Sequence, residues 1–249
     1  MILRFLLACF AAVLFNAPAA AQEREGGYLY HVATTRAAPG KLEDLLKWIE
    51  EINASGFLED SGVHKTLIMR HSQGDQWDLL SIGPMESWTA FHSKKATEKR
   101  EKGYAKHAEL LARGADLIAF TEDHFAYGPP LEVITEAYEA NAFYHIEMFN
   151  AAPGKAGELA EQRRMENRYL ELTGQTQNMI FTRAAGSDVD VFTIGFHENL
   201  QAFAEPSGAS AEEAEAAAKQ AGFKDRADIS FYLRSLLSGH HDTLAVKVE

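Results

Sequence analysis

This chain of 249 residues writes one order of short blocks twice. Tyr30-His31-Val32 precedes Ala38-Pro39-Gly40-Lys41, and Tyr144-His145-Ile146 precedes Ala152-Pro153-Gly154-Lys155, both at an offset of 114 (144 − 30 and 152 − 38). Asp78-Leu79-Leu80-Ser81-Ile82-Gly83 matches Asp190-Val191-Phe192-Thr193-Ile194-Gly195, and Phe91 matches Phe203, at 112 (190 − 78 and 203 − 91). Asp123-His124-Phe125-Ala126 matches Asp242-Thr243-Leu244-Ala245 at 119 (242 − 123). Short periods stack into solenoids, whereas a period above 100 is the length of a whole domain. Two like units are therefore expected, 23–128 and 131–249, parted by Gly128-Pro129-Pro130.

Each unit reads as strand, helix, strand, strand, helix, strand. Tyr28–Arg36 is rich in β-branched and aromatic residues. Pro39-Gly40 breaks that strand and opens a helix, where Leu42, Leu45, Leu46, Ile49 and Ile52 form one apolar stripe. His64–His71 and Gln76–Gly83 flank a hairpin loop, a short helix near Met85–His92 and a charged helix over Ser93–Arg113 follow, and Ala115–Ala126 closes the unit. The second unit predicts strands Ala142–Phe149, Gln177–Ala184, Val189–Phe196 and His240–Val248, with helices at Pro153–Thr173, Leu200–Ala221 and Asp225–Ser238. The fold class is α+β, with two ferredoxin-like βαββαβ repeats.

Met1–Gln22 has the three parts of a secretory signal: Arg4, an apolar run Phe5–Phe15, and Ala19-Ala20-Ala21. The run is too short to span a bilayer. Cleavage after residue 21 would remove the single cysteine, Cys9, and direct the protein to the bacterial periplasm or the exterior. It would also move the formal charge from −12 to −13 (23 basic minus 36 acidic once Arg4 is gone). An acidic excess of that size argues against nucleic acid and against an anionic membrane surface as partners.

The passage from the opening strand through Pro39-Gly40-Lys41 into Leu42-Glu43-Asp44-Leu45-Leu46-Lys47-Trp48 resembles the dimeric α/β-barrel superfamily. So does Ile82-Gly83-Pro84-Met85-Glu86-Ser87-Trp88-Thr89-Ala90-Phe91. The nearest branches are the NIPSNAP-like and antibiotic-biosynthesis-monooxygenase-like families. The resemblance covers nearly the whole mature chain, once per unit. It implies two four-stranded antiparallel sheets meeting as a barrel, here an intrachain pseudo-dimer. Further homo-oligomerisation would use other faces.

Strand residues alternate faces. The uniformly apolar sets Tyr30/Val32, Tyr144/Ile146/Met148, Leu80/Ile82 and Phe192/Ile194 are assigned to the helix side. The mixed sets containing Leu29/His31/Ala33 and Phe143/His145/Glu147/Phe149 are assigned to a cavity between the sheets. On the last strands Phe125 and Leu244 face the helices, and His124, Ala126, Thr243 and Ala245 face the barrel. His31 and His145 then stand on opposite walls as candidate general bases, with Glu147 beside His145. Trp77, Ser81, His124, Phe143 and Thr193 complete the expected cavity. A one-residue slip in register would invert these assignments.

Glu122-Asp123-His124 and His240-His241-Asp242 mix imidazole with carboxylate. Neighbours on a strand point apart, however, and no spaced ligand motif is present, so no metal is expected. No cofactor is expected either, although haem remains an alternative because some relatives of the resembled fold bind it through histidine. The helix carrying Arg163, Arg164, Asn167 and Arg168 replaces apolar positions with polar ones. These residues would pair with Glu158, Glu161, Glu166 and Glu171, or else form an anion-binding or subunit-facing surface. Two functions follow: a module binding a small, partly apolar molecule, or a cofactor-independent monooxygenase-type or isomerase-like enzyme acting on a phenolic substrate.

Overall fold

A computed structural model describes residues 25–248. The signal segment and its cysteine lie outside the described residues. Among the described residues, eight strands and ten α-helices follow in the order β1 (Tyr28–Ala37), α1 (Leu42–Ala54), α2 (Phe57–Ser61), β2 (Leu67–Gln73), β3 (Leu79–Glu86), α3 (Trp88–Phe91), α4 (Lys94–Lys106), α5 (Ala108–Ala112) and β4 (Ile118–Gly128), then α6 (Leu131–Ala140), β5 (Phe143–Ala151), α7 (Ala156–Leu172), β6 (Asn178–Gly186), β7 (Val191–His197), α8 (Leu200–Ala204), α9 (Ala211–Ala221), α10 (Asp228–Ser235) and β8 (Leu237–Lys247), with a 3-10 turn at Arg113–Asp116. No helix among them is long and apolar enough to cross a membrane.

The strands close one antiparallel barrel in the order β1-β3-β2-β8-β5-β7-β6-β4. Within it, β4-β1-β3-β2 and β8-β5-β7-β6 run in the same order, and the two sets join along β2–β8 and β4–β6. The repeated Pro-Gly turns are also alike. Gly40 and Gly154 take φ of 75° and 78°, the left-handed region that glycine enters without a Cβ penalty. In each turn the lysine amide then bonds the alanine three residues back, Lys41 to Ala38 at 2.8 Å and Lys155 to Ala152 at 2.9 Å.

The barrel is solid. Tyr30 and Val32, Leu67 and Met69, Leu80 and Ile82, Ala126, Tyr144 and Ile146, Phe181, Phe192 and Ile194, and Ala245 form one buried cluster drawn from all eight strands. Phe181 stacks on Phe192 at 4.4 Å, and Tyr30 meets Phe181 edge-on at 5.8 Å. Helix α6, absent from the sequence reading, plugs one end with the fully buried Ile134. Tyr138 on the same helix donates to the Ile68 carbonyl at 2.7 Å.

This packing inverts the expected faces of the first and third strands. Tyr30, Val32, Leu80, Ile82, Tyr144, Ile146, Phe192 and Ile194 point into the barrel, whereas Leu79 and Ile68 pack with Leu42, Leu45 and Ile49 of α1. The reason is solvent access. A closed barrel seals its interior on every side, so it takes the most uniformly apolar set. The helix layer has edges and tolerates polar groups. On the last strands His124, Ala126, Thr243 and Ala245 face inward, as expected.

Two expected helices are broken. The charged helix stops at His107, and the Leu200–Ala221 prediction splits around Glu205-Pro206, because proline cannot continue a helical ladder. Its second part restarts on Ser210, which forms a reciprocal capping box with Glu213.

Candidate functional site

Both polar faces therefore lie outside the barrel, one beneath each helical layer. In the first half, β1, β2 and β3 and helices α1, α2 and α4 enclose a cavity of about 520 Å³. Trp48, Ile49 and Ile52 of α1 form one wall, Ala33, Leu79 and Ser81 of the sheet form another, and Phe57, Phe91 and Phe125 supply aromatic surface. Trp48 is fixed by donating its indole N–H to the Leu110 carbonyl at 2.8 Å, and Gly114 leaves room for its ring. At the polar side, His31 Nε2 lies 3.1 Å from Asp123 Oδ2, and its ring rests 5.3 Å from Phe125. A volume of this size accepts a drug-sized molecule, and a mostly apolar wall with a few convergent polar groups is the usual form of such a site.

The second half uses the same positions for another purpose. At the repeat offset of 114, Ala33, Trp48, Ile49 and Ile52 become Glu147, Gln162, Arg163 and Glu166. These side chains fill the space with a buried polar network. Arg163 is 2% exposed. Its guanidinium donates to Gln162 Oε1 at 2.7 Å and to Glu147 Oε2 at 3.3 Å, and it also pairs with Glu166. Thr193 donates to the same Glu147 oxygen at 3.1 Å. Burial raises the Glu147 pKa, but the close imidazole of His240 and the charge on Arg163 outweigh it and leave the carboxyl below its ordinary value. Glu166 moves the other way, raised by burial and by its neighbour Glu147.

His145 repeats the arrangement of His31, with Nε2 3.2 Å from Asp242 Oδ1. Burial lowers its pKa. The hydrogen bond with Asp242 and the surrounding carboxylates more than offset this and raise it. Asp242 is lowered chiefly by that same bond.

The candidate residues thus do not share one cavity. His31 and His145 sit beneath separate helical layers, each 3.1–3.2 Å from an aspartate, and cannot act on one substrate. Ser81 lines the first-half cavity. Phe143 packs on Phe203 at 5.5 Å, and Thr193 is tied to Glu147, both in the second half. Trp77 and His124 belong to the far mouth of the barrel, where a recess of about 130 Å³ remains. His124 packs edge-on against Phe192, and burial lowers its pKa to about 4. Sequence reasoning missed Asp123 as the partner of His31 and Trp48 as a cavity wall. The antiparallel pairing that sets Asp123 opposite Ala33 brings the dyad together, and only the topology reveals it.

Arg163 proves to be buried among ion pairs and is no part of a surface. Arg164 and Arg168 both pair with Glu161, and Arg164 also holds Glu25 at 2.7 Å, whereas Glu158 pairs with Lys155 instead.

No family model and no curated protein matches the sequence. Among solved structures, the chain is similar to an anthrone oxidase-like protein, with TM-score 0.55 and 14% identity over 90% of this chain and 93% of that one. A proposed monooxygenase from Lactobacillus acidophilus aligns with TM-score 0.49 and 8% identity over 90% and 95%. A mutant chlorite dismutase from Candidatus Nitrospira defluvii aligns with TM-score 0.47 and 13% identity over 90% and 92%. At such identities the likeness carries the fold alone: an α+β architecture on eight antiparallel strands, shared with ferredoxin-like proteins.

Proposed function

We propose that this chain is an exported, tandemly duplicated barrel protein that binds a small, mostly apolar, aromatic-sized molecule. The binding site is the cavity between the sheet and helices of its first half. The observation that carries the reading is that cavity: about 520 Å³, walled by Trp48, Ile49, Phe57 and Phe125, with the His31–Asp123 pair at its polar edge. A ligand with an apolar ring system and one hydroxyl or carbonyl would match that distribution. The identical strand order of the two halves supports duplication, and the apolar run before Ala19-Ala20-Ala21 supports export.

A second reading has its own observation. A histidine backed by a carboxylate and opening on an apolar cavity is a suitable general base for a phenol or an activated C–H. Cofactor-independent oxygenation begins with such a deprotonation. The similar anthrone oxidase-like structure is compatible with this but carries only the fold. Haem fits poorly, since its propionates need cationic partners, no arginine or lysine lines the first-half cavity, and Arg163 is already committed to Glu147 and Glu166.

Calorimetric titration with a hydroxylated tricyclic ketone tests binding, and an oxygen electrode on the same mixture separates the readings. Binding that survives His31→Ala, with no oxygen uptake in either protein, supports the module. Oxygen uptake by the wild type that His31→Ala abolishes supports the enzyme. Absence of any heat with a panel of such compounds would refute both.

A further inference from the structure

Four side chains of the second half that could ligate a metal converge at the edge of the network just described and share Glu147 with it. His145 and Glu147 are two apart on β5, and His240 and Asp242 are two apart on β8, so each pair shares one strand face. Glu147 lies directly opposite Asp242 in the antiparallel register, and Phe149 lies opposite His240. Adjacent His240 and His241 point apart as the sequence predicts, but the i, i+2 partner on each strand returns to the same face.

His145 Nε2 lies 3.2 Å from Asp242 Oδ1, and His240 Nε2 lies 3.6 Å from both Asp242 Oδ1 and Glu147 Oε1. Donor atoms of His145, Glu147 and Asp242 all fall within 4.8 Å of one another. A tetrahedral ion with bonds of about 2.0–2.2 Å sets its donors about 3.3–3.6 Å apart. The spacing of His145, Glu147 and Asp242 therefore suits one ion, and His240, 3.6 Å from two of them but outside that group of three, joins the shell by a shift of its side chain toward His145.

Three further observations point to a ligand. His240 Nε2 is buried and stands 3.6 Å from a Glu147 and an Asp242 oxygen, just beyond hydrogen-bond distance of either. An orphaned buried nitrogen of this kind calls for an occupant. The ring carrying it is held flat against Phe149, with centroids 4.7 Å apart and planes at 7°. Glu147 is oriented from behind, because Arg163 and Thr193 both donate to Oε2 and leave Oε1 turned toward His240. Outer groups that fix a ligand's orientation in this way are the usual companions of a metal site. Asp242 is 56% exposed, so an ion can enter from solvent on that side.

The first half supplies an internal control. The positions matching Glu147 and His240 are Ala33 and Thr121 at the offsets of 114 and 119, so His31 and Asp123 stand there alone. The four-donor set belongs to the second half only.

We propose that His145, Glu147, His240 and Asp242 form a binding site for one divalent transition-metal ion. Two imidazole nitrogens and two carboxylate oxygens select a borderline cation such as zinc, iron(II) or cobalt(II) over magnesium or calcium, which prefer all-oxygen shells. The solvent-facing side leaves room for an exchangeable ligand.

Cobalt(II) titration of the metal-stripped full-length protein tests this, read by its visible d–d absorption and by equilibrium dialysis. The wild type should bind one cobalt per chain with the intense spectrum of a four- or five-coordinate site, and excess zinc should displace it. Asp242→Asn and His240→Gln, whose side chains carry none of the Arg163 network, should each weaken binding at least tenfold. Asp123→Asn in the first half should leave it unchanged. Thermal melts of the metal-free variants exclude misfolding as the cause. Less than half a cobalt per chain in the wild type, or affinity unchanged in both second-half variants, would overturn the assignment.

Discussion

Replacing Arg163 with isoleucine should be far more damaging than replacing it together with its partners. Arg163 is 2% exposed and holds two buried carboxylates, Glu147 and Glu166. Removing one member of a buried ionic group leaves uncompensated charge and costs about 3–5 kcal/mol. For a domain of this size each kcal/mol lowers Tm by about 2–4 °C, so Arg163→Ile should melt roughly 6–20 °C early. The first half already shows the apolar solution at the same three positions, Ala33, Ile49 and Ile52. The triple variant Glu147→Ala/Arg163→Ile/Glu166→Ile should therefore recover most of the loss, since apolar replacement of a buried ionic group is often neutral. The sign of the pH effect follows from the carboxylates. Without Arg163, both Glu147 and Glu166 lose a stabilising charge, and their folded pKa values move up. A raised carboxyl pKa means that stability falls as pH rises through the window between the unfolded and folded values. The deficit of the single variant should thus shrink from pH 7.5 to pH 5, whereas the triple variant should show no such trend. Urea unfolding at both pH values measures it. A single variant within 1 kcal/mol of wild type at pH 7.5, or a triple variant no better than the single, would refute the reasoning.

His124 has a folded pKa lowered to about 4 by burial, so stability present above its unfolded value is lost as pH falls from about 6.5 to about 4; at about 1.4 kcal/mol per unit this amounts to of order 3 kcal/mol, and His124→Leu should flatten that part of the urea-midpoint profile. Ile134 is fully buried in the barrel plug, so Ile134→Ala should cost about 2–4 kcal/mol in equilibrium denaturation, through the cavity it leaves. A Cβ at Gly114 would stand 2.6 Å from the Trp48 ring, so Gly114→Ala should cost about 1–3 kcal/mol and shift the tryptophan emission.

The architecture was legible because the repeated sequence blocks give every signal twice. The Pro39-Gly40 and Pro153-Gly154 turns, the apolar stripe from Leu42 to Ile52 and the aromatic strands all survive in the structure. The face assignment was not legible for β1 and β3. Alternation reveals that two faces exist, but Tyr30 and His31 look the same whether the apolar side meets helices or a second sheet. Closure of the barrel decides between them, and closure depends on long-range pairing of β2 with β8 and β4 with β6. The same holds for the site chemistry. His31 and Asp123 are 92 residues apart, and His145 and Asp242 are 97 apart, so neither dyad has a spacing that sequence inspection could recognise. The replacement of Ile49 by Arg163 was visible as a polar intrusion on a helix. Its burial followed only from the carboxylates that Glu147 and Glu166 bring to the same space.

If the first-half cavity takes a small apolar ligand, filling it should abolish binding, and the second half itself suggests how to fill it. Ile49→Arg copies the Arg163 that fills the matching space, and Ala33→Leu adds bulk on the opposite wall. Fluorescence titration with 1-anilinonaphthalene-8-sulfonate, on proteins shown by thermal melting to be folded, measures the occupancy. The wild type should show one saturable site per chain, and both filled variants should lose it. Saturable binding of equal affinity and stoichiometry in wild type, Ile49→Arg and Ala33→Leu would contradict this.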